Sequence, residues 1–210
     1  MGDLPDWPHE AFAKQDRAPD ALFYTEPRFV THIDDVAVAA VTDLYRMLLP
    51  PGATVLDLMS SWVSHLPDEL RFEAVIGHGL NARELAANPR LTRYFVQDLN
   101  AQPHLPLDDA SLDAVTVCVS VQYLQQPVAV LSEVARVLRP GAPVVLSFSN
   151  RCFPTKAVAI WRALAPGDHA RLVQLYLQQA GFARIEARVL IAEDGPSDPL
   201  TAVIGWTGET

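Results

Sequence analysis

The chain has 210 residues, half of them hydrophobic, with a formal net charge of −9 and a pI near 5.0. That length suits one domain with a full core, and no apolar run reaches the ~20 residues of a membrane span. No cluster of positive charge offers a phosphate-backbone footprint, so membrane and nucleic acid are set aside as partners and a small-molecule substrate is expected, for a monomer or homodimer.

The N-terminal stretch MGDLPDWPHEAFAKQD has no basic n-region and no apolar h-region. Cys118 and Cys152 give neither a disulfide framework nor a zinc spacing. Both features point to a cytoplasmic location. No H-x-x-x-H, C-x-x-C or acidic triad suggests a metal.

Pro5, Pro8, Pro19 and Pro27 break the first stretch into loops and short helical turns. Residues 1–32 are therefore expected to form a lid or flank on one compact domain spanning 33–210. From Ile33 to Leu49 the pattern is helical, with Asp34 or Thr31 as cap and Pro50-Pro51-Gly52 as stop. Apolar, β-branched runs follow at 54–58, 73–77, 94–97, 112–118 and 143–148. Near-continuous apolar strands imply burial on both faces, as in a parallel sheet flanked by helices. Helical spacing recurs at Val128–Leu138, before Pro140-Gly141, and at Leu172–Ala180, before Gly181. Two strand-like runs, 183–191 and 200–206, close the chain.

In this order the segments resemble a class I methyltransferase that uses S-adenosylmethionine. VLDL stands where that family has its first strand and acidic motif, and YFVQDL where an acid meets adenine. LPLDDASLDAVTVCVSVQYL is similar to the fourth-strand stretch, EVARVLRPGAPVVLSFSN to the helix, turn and fifth strand, and QQAGFARIEARVL to the element that opens the final hairpin. The resemblance implies an α/β fold: a doubly wound, mostly parallel, seven-stranded Rossmann-like sheet with an antiparallel C-terminal hairpin and an N-terminal helical lid. It implies S-adenosyl-L-methionine as cofactor and methyl transfer to a small molecule. Cyclisation or elimination at the sulfonium, and a non-catalytic binding role, are the alternatives.

Independently of the family, ligands of open α/β sheets bind beyond the carboxyl ends of the strands, where strand order reverses. The segments after Leu58, Gly77, Val96 and Cys118 should thus share one rim. Against the family's pattern, Met59, Ser61 and Val63 replace three glycines of the first turn. Ordinary φ/ψ values are expected there, with Ser60 and Ser61 bonding a ligand carboxylate or amine and Trp62 walling the sulfonium. Gly79 stands where an acid usually grips ribose, which leaves no carboxylate at that position; Asn81 either bonds ribose or caps the next helix.

By the resemblance, Tyr24, Asp57, Met59, Ser60, Ser61, Trp62, Gly79, Asn81, Asp98, Leu99 and Ser120 make up the expected cofactor site. Gln122 and Tyr123 face the transferred group, His32 is the general-base candidate because of its near-neutral pKa, and His65 is a second. Arg28, Asn150 and Arg151 are expected to contact substrate, an arginine suiting an acidic group.

Overall fold

The computed structural model describes residues 7–209; residues 1–6 of the expected lid, and Thr210, lie outside the described residues. Five parallel strands run in chain order: β1 (Thr54–Asp57), β2 (Ala74–Gly79), β3 (Arg93–Val96), β4 (Ala114–Cys118) and β5 (Pro143–Phe148). The strands β6 (Arg184–Ile191) and β7 (Leu200–Trp206) form an antiparallel hairpin, and β7 inserts antiparallel against β5. The sheet order is β3-β2-β1-β4-β5-β7-β6. Strand order reverses at β1/β4, so the crevice at their carboxyl ends is where a ligand is expected. This is the α/β class and the seven-stranded topology that the sequence implies.

Alternation along each strand divides the core. Leu56, Ile76, Val115, Val117, Val144 and Leu146 pack on one face, under α4 (Pro127–Val137) and α6 (His169–Gln179). Val55, Val75, Ala114, Val145, Ala202 and Ile204 pack on the other, under α2 (Asp35–Leu48). Helix α2 begins where Asp34 accepts the Ala37 N–H at 2.8 Å, and it buries Ala37, Val41, Leu44 and Tyr45, one stripe at helical spacing. Pro127 opens α4, at a position that needs no N–H. Full burial of each such Leu or Val side chain contributes roughly 1.5–3 kcal/mol.

Residues 7–32 pack directly on this body. Trp7 and Phe12 meet Tyr176 of α6 at ring distances of 6.0 and 6.1 Å. The backbone bonds Asp16 N–H to Thr155 O and Ala159 N–H to Ala13 O tie the segment to the chain after β5, at the start of α5 (Ala159–Ala163). The short α1 (Asp20–Phe23) then leads across the carboxyl ends of the strands. Among the described residues, no helix is long and apolar enough to cross a membrane, and no group of His, Cys, Asp and Glu could hold a metal ion.

Candidate functional site

A cavity of about 270 Å³ opens beyond the carboxyl ends of β1, β2, β3 and β4. Met59, Ser60 and Ser61 line it after β1; Gly79 and Asn81 at the end of β2; Asp98 and Leu99 after β3; Ser120 and Tyr123 after β4. Tyr24, Arg28 and His32 close it from the N-terminal segment, and Arg151 from the chain after β5. Five expected residues stand apart from this wall. Asp57 lies beneath the β1 turn. Trp62 packs edge-on against Phe29 and donates Nε1–H to Val30 O at 3.0 Å. Gln122 is buried, with its amide nitrogen bonded to Val119 O at 2.8 Å. Asn150 faces a separate cavity of about 340 Å³ beside Trp161 and His169. His65 lines a smaller cavity of about 60 Å³ behind the turn.

The turn after β1 departs from its expected backbone. Met59 has φ +58° and so adopts the left-handed conformation that glycine normally supplies. What holds it there is a set of bonds to neighbours. The Met59 N–H donates to His78 Nδ1 at 3.1 Å and the Ser60 N–H to His78 O at 2.6 Å. His78 Nδ1 is thereby an acceptor, so its ring proton sits on Nε2 and is donated to Gln97 O at 2.9 Å. Burial pushes the pKa of His78 down to about 4, which keeps this neutral tautomer.

The same turn explains Gly79. A Cβ there would lie 2.6 Å from Ser60 O. The β1 turn has no glycine, leans onto the end of β2, and requires one at Gly79 instead. The two departures from the family pattern are one packing solution.

The serines are engaged within the protein. Ser60 Oγ donates to Asp57 at 2.5 Å, as Ser64 Oγ also does, and Thr116 Oγ1 reaches the other Asp57 oxygen at 3.1 Å. Burial raises the Asp57 pKa against these three bonds. Ser61 Oγ donates to Glu84 at 2.5 Å. Glu84 is a cavity-lining carboxylate that the sequence reading missed. It is buried on α3 (Ala82–Ala87), and its other oxygen accepts the Arg28 N–H at 2.7 Å. A sequence signal was present: Asn81-x-x-Glu84 has capping-box spacing. Asn81 does cap α3, accepting from Arg83 and Glu84 N–H, while its amide holds Tyr24 O and Thr25 O at 2.9 and 3.1 Å. Glu84 is thus left to tie the N-terminal segment down.

Phe153, after β5, was also missed, and it organises the aromatic side of the cavity. Its ring is 5.1 Å from Phe23, 6.1 Å from Tyr123 and 5.5 Å from His32. Tyr123 Oη accepts the Phe153 N–H at 2.8 Å, and burial lifts its pKa to about 12. Tyr24 is raised as well, by burial. Both phenols therefore stay protonated at neutral pH. Desolvation lowers the pKa of His32 and of His65, so both imidazoles are neutral there. The Cys118 thiol is pushed up to about 12 by burial and stays unreactive. Ser120 is buried, and its hydroxyl has no hydrogen-bond partner among the described residues.

The strand order, the switch-point cavity and the C-terminal hairpin agree with what known proteins show. A family model described as "Methyltransferase domain" matches residues 71–146. The fold is that of the class I methyltransferases. A methyltransferase in complex with the Haloferax volcanii Trm112 methyltransferase activator superposes at TM-score 0.62 and 19% identity, over 83% of this chain and 92% of its own. An Aquifex aeolicus SAM dependent methyltransferase gives 0.58 at 18% identity, over 89% and 96%. The 4+2 cyclase SpnF gives 0.59 at 14%, over 81% of each chain. No curated protein sequence matches the chain. These neighbours share a methyltransferase fold that carries more than one chemistry.

Proposed function

We propose that the protein binds S-adenosylmethionine in the 270 Å³ cavity and transfers its methyl group to a small molecule, with residues 1–32 as lid over the domain 33–210. The carrying observation is that one cavity wall unites the segments after β1, β2, β3 and β4 in which the family resemblance puts the cofactor. The residues present suit that ligand. Asp98 uses one carboxylate oxygen for the Asn100 N–H at 2.9 Å and keeps the other for an adenine amino group. The Leu99 N–H, without a partner among the described residues, suits a ring nitrogen. Glu84 lines the cavity near Gly79 with both oxygens held by Ser61 and the Arg28 N–H, and Ser120 brings a buried hydroxyl.

S-adenosylmethionine supplies, when bound, a methyl carbon made electrophilic by its sulfonium. The protein positions the acceptor and manages its proton. Tyr24, Tyr123 and Phe153 form an aromatic wall of the cavity. The phenols, kept protonated, act as donors rather than bases. His32 is neutral and lines the cavity beside Phe153, so it is the group placed to accept a proton from an acceptor hydroxyl or amine. Gln122 acts at one remove, by bracing the Val119 carbonyl of the turn that carries Ser120 and Tyr123.

Calorimetry with S-adenosylmethionine and S-adenosylhomocysteine tests the reading. Saturable binding is expected, weakened about tenfold or more by Asp98→Ala, since a hydrogen bond to a charged group is worth roughly 1.5–3 kcal/mol. No binding up to millimolar ligand would sink it. Methylthioadenosine released without an acceptor would replace methyl transfer by another sulfonium chemistry.

A further inference from the structure

Two cations share the ring of Phe23. Lys156 Nζ lies 5.4 Å from its centroid and Arg28 Cζ 4.4 Å. Their electrostatic surroundings are opposite. Lys156, fully buried, is 3.1 Å from Asp16 and 3.3 Å from Asp20 and donates to Ala18 O at 2.8 Å. Asp20 also takes Lys14 and the Asn100 amide. The two lysines and two aspartates cancel, and that cluster is complete without a ligand.

Arg28 has no carboxylate partner among the described residues. Its guanidinium sits between Phe23, Tyr24 and Phe153, with centroids at 4.4, 5.5 and 5.4 Å. Nη2 donates to Phe23 O at 2.9 Å, and Nη1 is buried with no partner among the described residues. The nearby acids are otherwise occupied: Glu84 by the Arg28 backbone and Ser61, and Asp20 by the lysines. Removing a charge from water without pairing it is unfavourable, and aromatic faces offset only part of that. A fork of N–H donors held rigid by stacking, on the wall of a ligand cavity, is matched in charge and geometry by a carboxylate.

We infer that Arg28 is the carboxylate anchor of the main cavity, completed by a ligand acid group where Lys156 is completed by the protein. The inference rests on the cavity being the ligand site proposed above and adds the chemical class of one ligand group. That group belongs either to the amino-acid end of the cofactor or to an acidic acceptor.

Calorimetry on the wild type, Arg28→Lys and Arg28→Met separates the sources with three probes: S-adenosylhomocysteine, methylthioadenosine, which has no carboxylate, and sodium benzoate. A cofactor carboxylate predicts that Arg28→Met weakens S-adenosylhomocysteine about tenfold or more and leaves methylthioadenosine within about twofold. An acceptor carboxylate predicts that both nucleosides are unaffected, while benzoate binds the nucleoside-loaded wild type and not Arg28→Met. Arg28→Lys keeps a cation over Phe23 and loses the fork, so it should fold and show a smaller loss on the same probe. If Arg28→Met does not fold by circular dichroism, Arg28→Lys alone decides. Equal weakening of methylthioadenosine and S-adenosylhomocysteine would make Arg28 a purely structural residue. Unchanged nucleoside binding together with no benzoate binding to the wild type would equally overturn the inference. If the wild type binds neither nucleoside, the cofactor reading fails separately, and benzoate titrated alone still reads Arg28: its binding to the wild type and loss in Arg28→Met support the anchor, and its failure to bind overturns it.

Discussion

The turns after β1 and β4 leave neighbouring parallel strands, yet only one of them is finished. Both reverse through a residue other than glycine at positive φ: Met59 at +58° and Val119 at +43°. Such conformations cost about 1–2 kcal/mol each and persist only where neighbours over-determine them. In the β1 turn they do. Asp57 satisfies Ser60, Ser64 and Thr116, and His78 receives two backbone N–H groups. In the β4 turn the Ser120 hydroxyl and the side-chain Oε1 of Gln122 are buried without partners among the described residues. The first turn is a platform complete in itself; the second has polar capacity left for a ligand.

The two turns should respond differently to truncation. Asp57→Ala leaves the buried hydroxyls of Ser64 and Thr116 and the half-buried one of Ser60 without their acceptor and should cost about 3–5 kcal/mol, lowering Tm by roughly 10 °C in thermal melts. A drop of only a degree or two would mean that the β1 network is not what holds the turn. The platform should also be acid-sensitive through His78. Its folded pKa of about 4 lies below its unfolded value of 6.5, so the unfolded chain binds the extra proton between those values. Stability should be intact above pH 6.5 and fall by up to about 3 kcal/mol as pH drops to 4. His32 and His65, lowered in the same direction, reinforce the trend. Denaturant titrations from pH 7 to pH 4 check the slope, which His78→Gln should flatten.

Ser120→Ala should have the reverse profile. Stability should change by less than about 0.5 kcal/mol, because no protein bond is lost. S-adenosylhomocysteine affinity, read by calorimetry, should fall about threefold to tenfold. The smallest effect is expected for Val119→Gly. Relief of the left-handed β-branched residue offsets the entropy of glycine, so the net change should stay within about 1 kcal/mol. A loss of 2 kcal/mol or more would show that Val119 is not strained.

The sheet was legible because every strand is a short, apolar, β-branched run and the helices carry periodic stripes. The Ile33-to-Leu49 pattern implies helix α2 and leaves Asp34 or Thr31 as its cap; the cap is Asp34. Asp98, Ser120 and Tyr123 were legible because each follows directly from a strand end. Glu84, whose capping-box spacing marks a helix start but not a cavity wall, and Phe153 were not. One reaches the cavity from a helix, the other from an irregular segment after β5, and their positions depend on how the N-terminal segment folds back. The positive φ of Met59 was illegible for a different reason. Nothing in the side chain of methionine favours it; the bonds to His78, 19 residues away in sequence, impose it.

The contact between Ser60 and Gly79 also constrains how this sequence can change. An aspartate introduced at Gly79 meets Ser60 O before its carboxylate reaches any ligand, because even a Cβ would sit 2.6 Å away. Glycine introduced at Met59 alone frees a turn that His78 still pins. The substitutions toward the usual family pattern are therefore epistatic: each is unfavourable or idle until the other has occurred. Single-site mutational scans would find Gly79 intolerant, and only paired libraries over 59–61 and 79 would uncover a route between the two solutions.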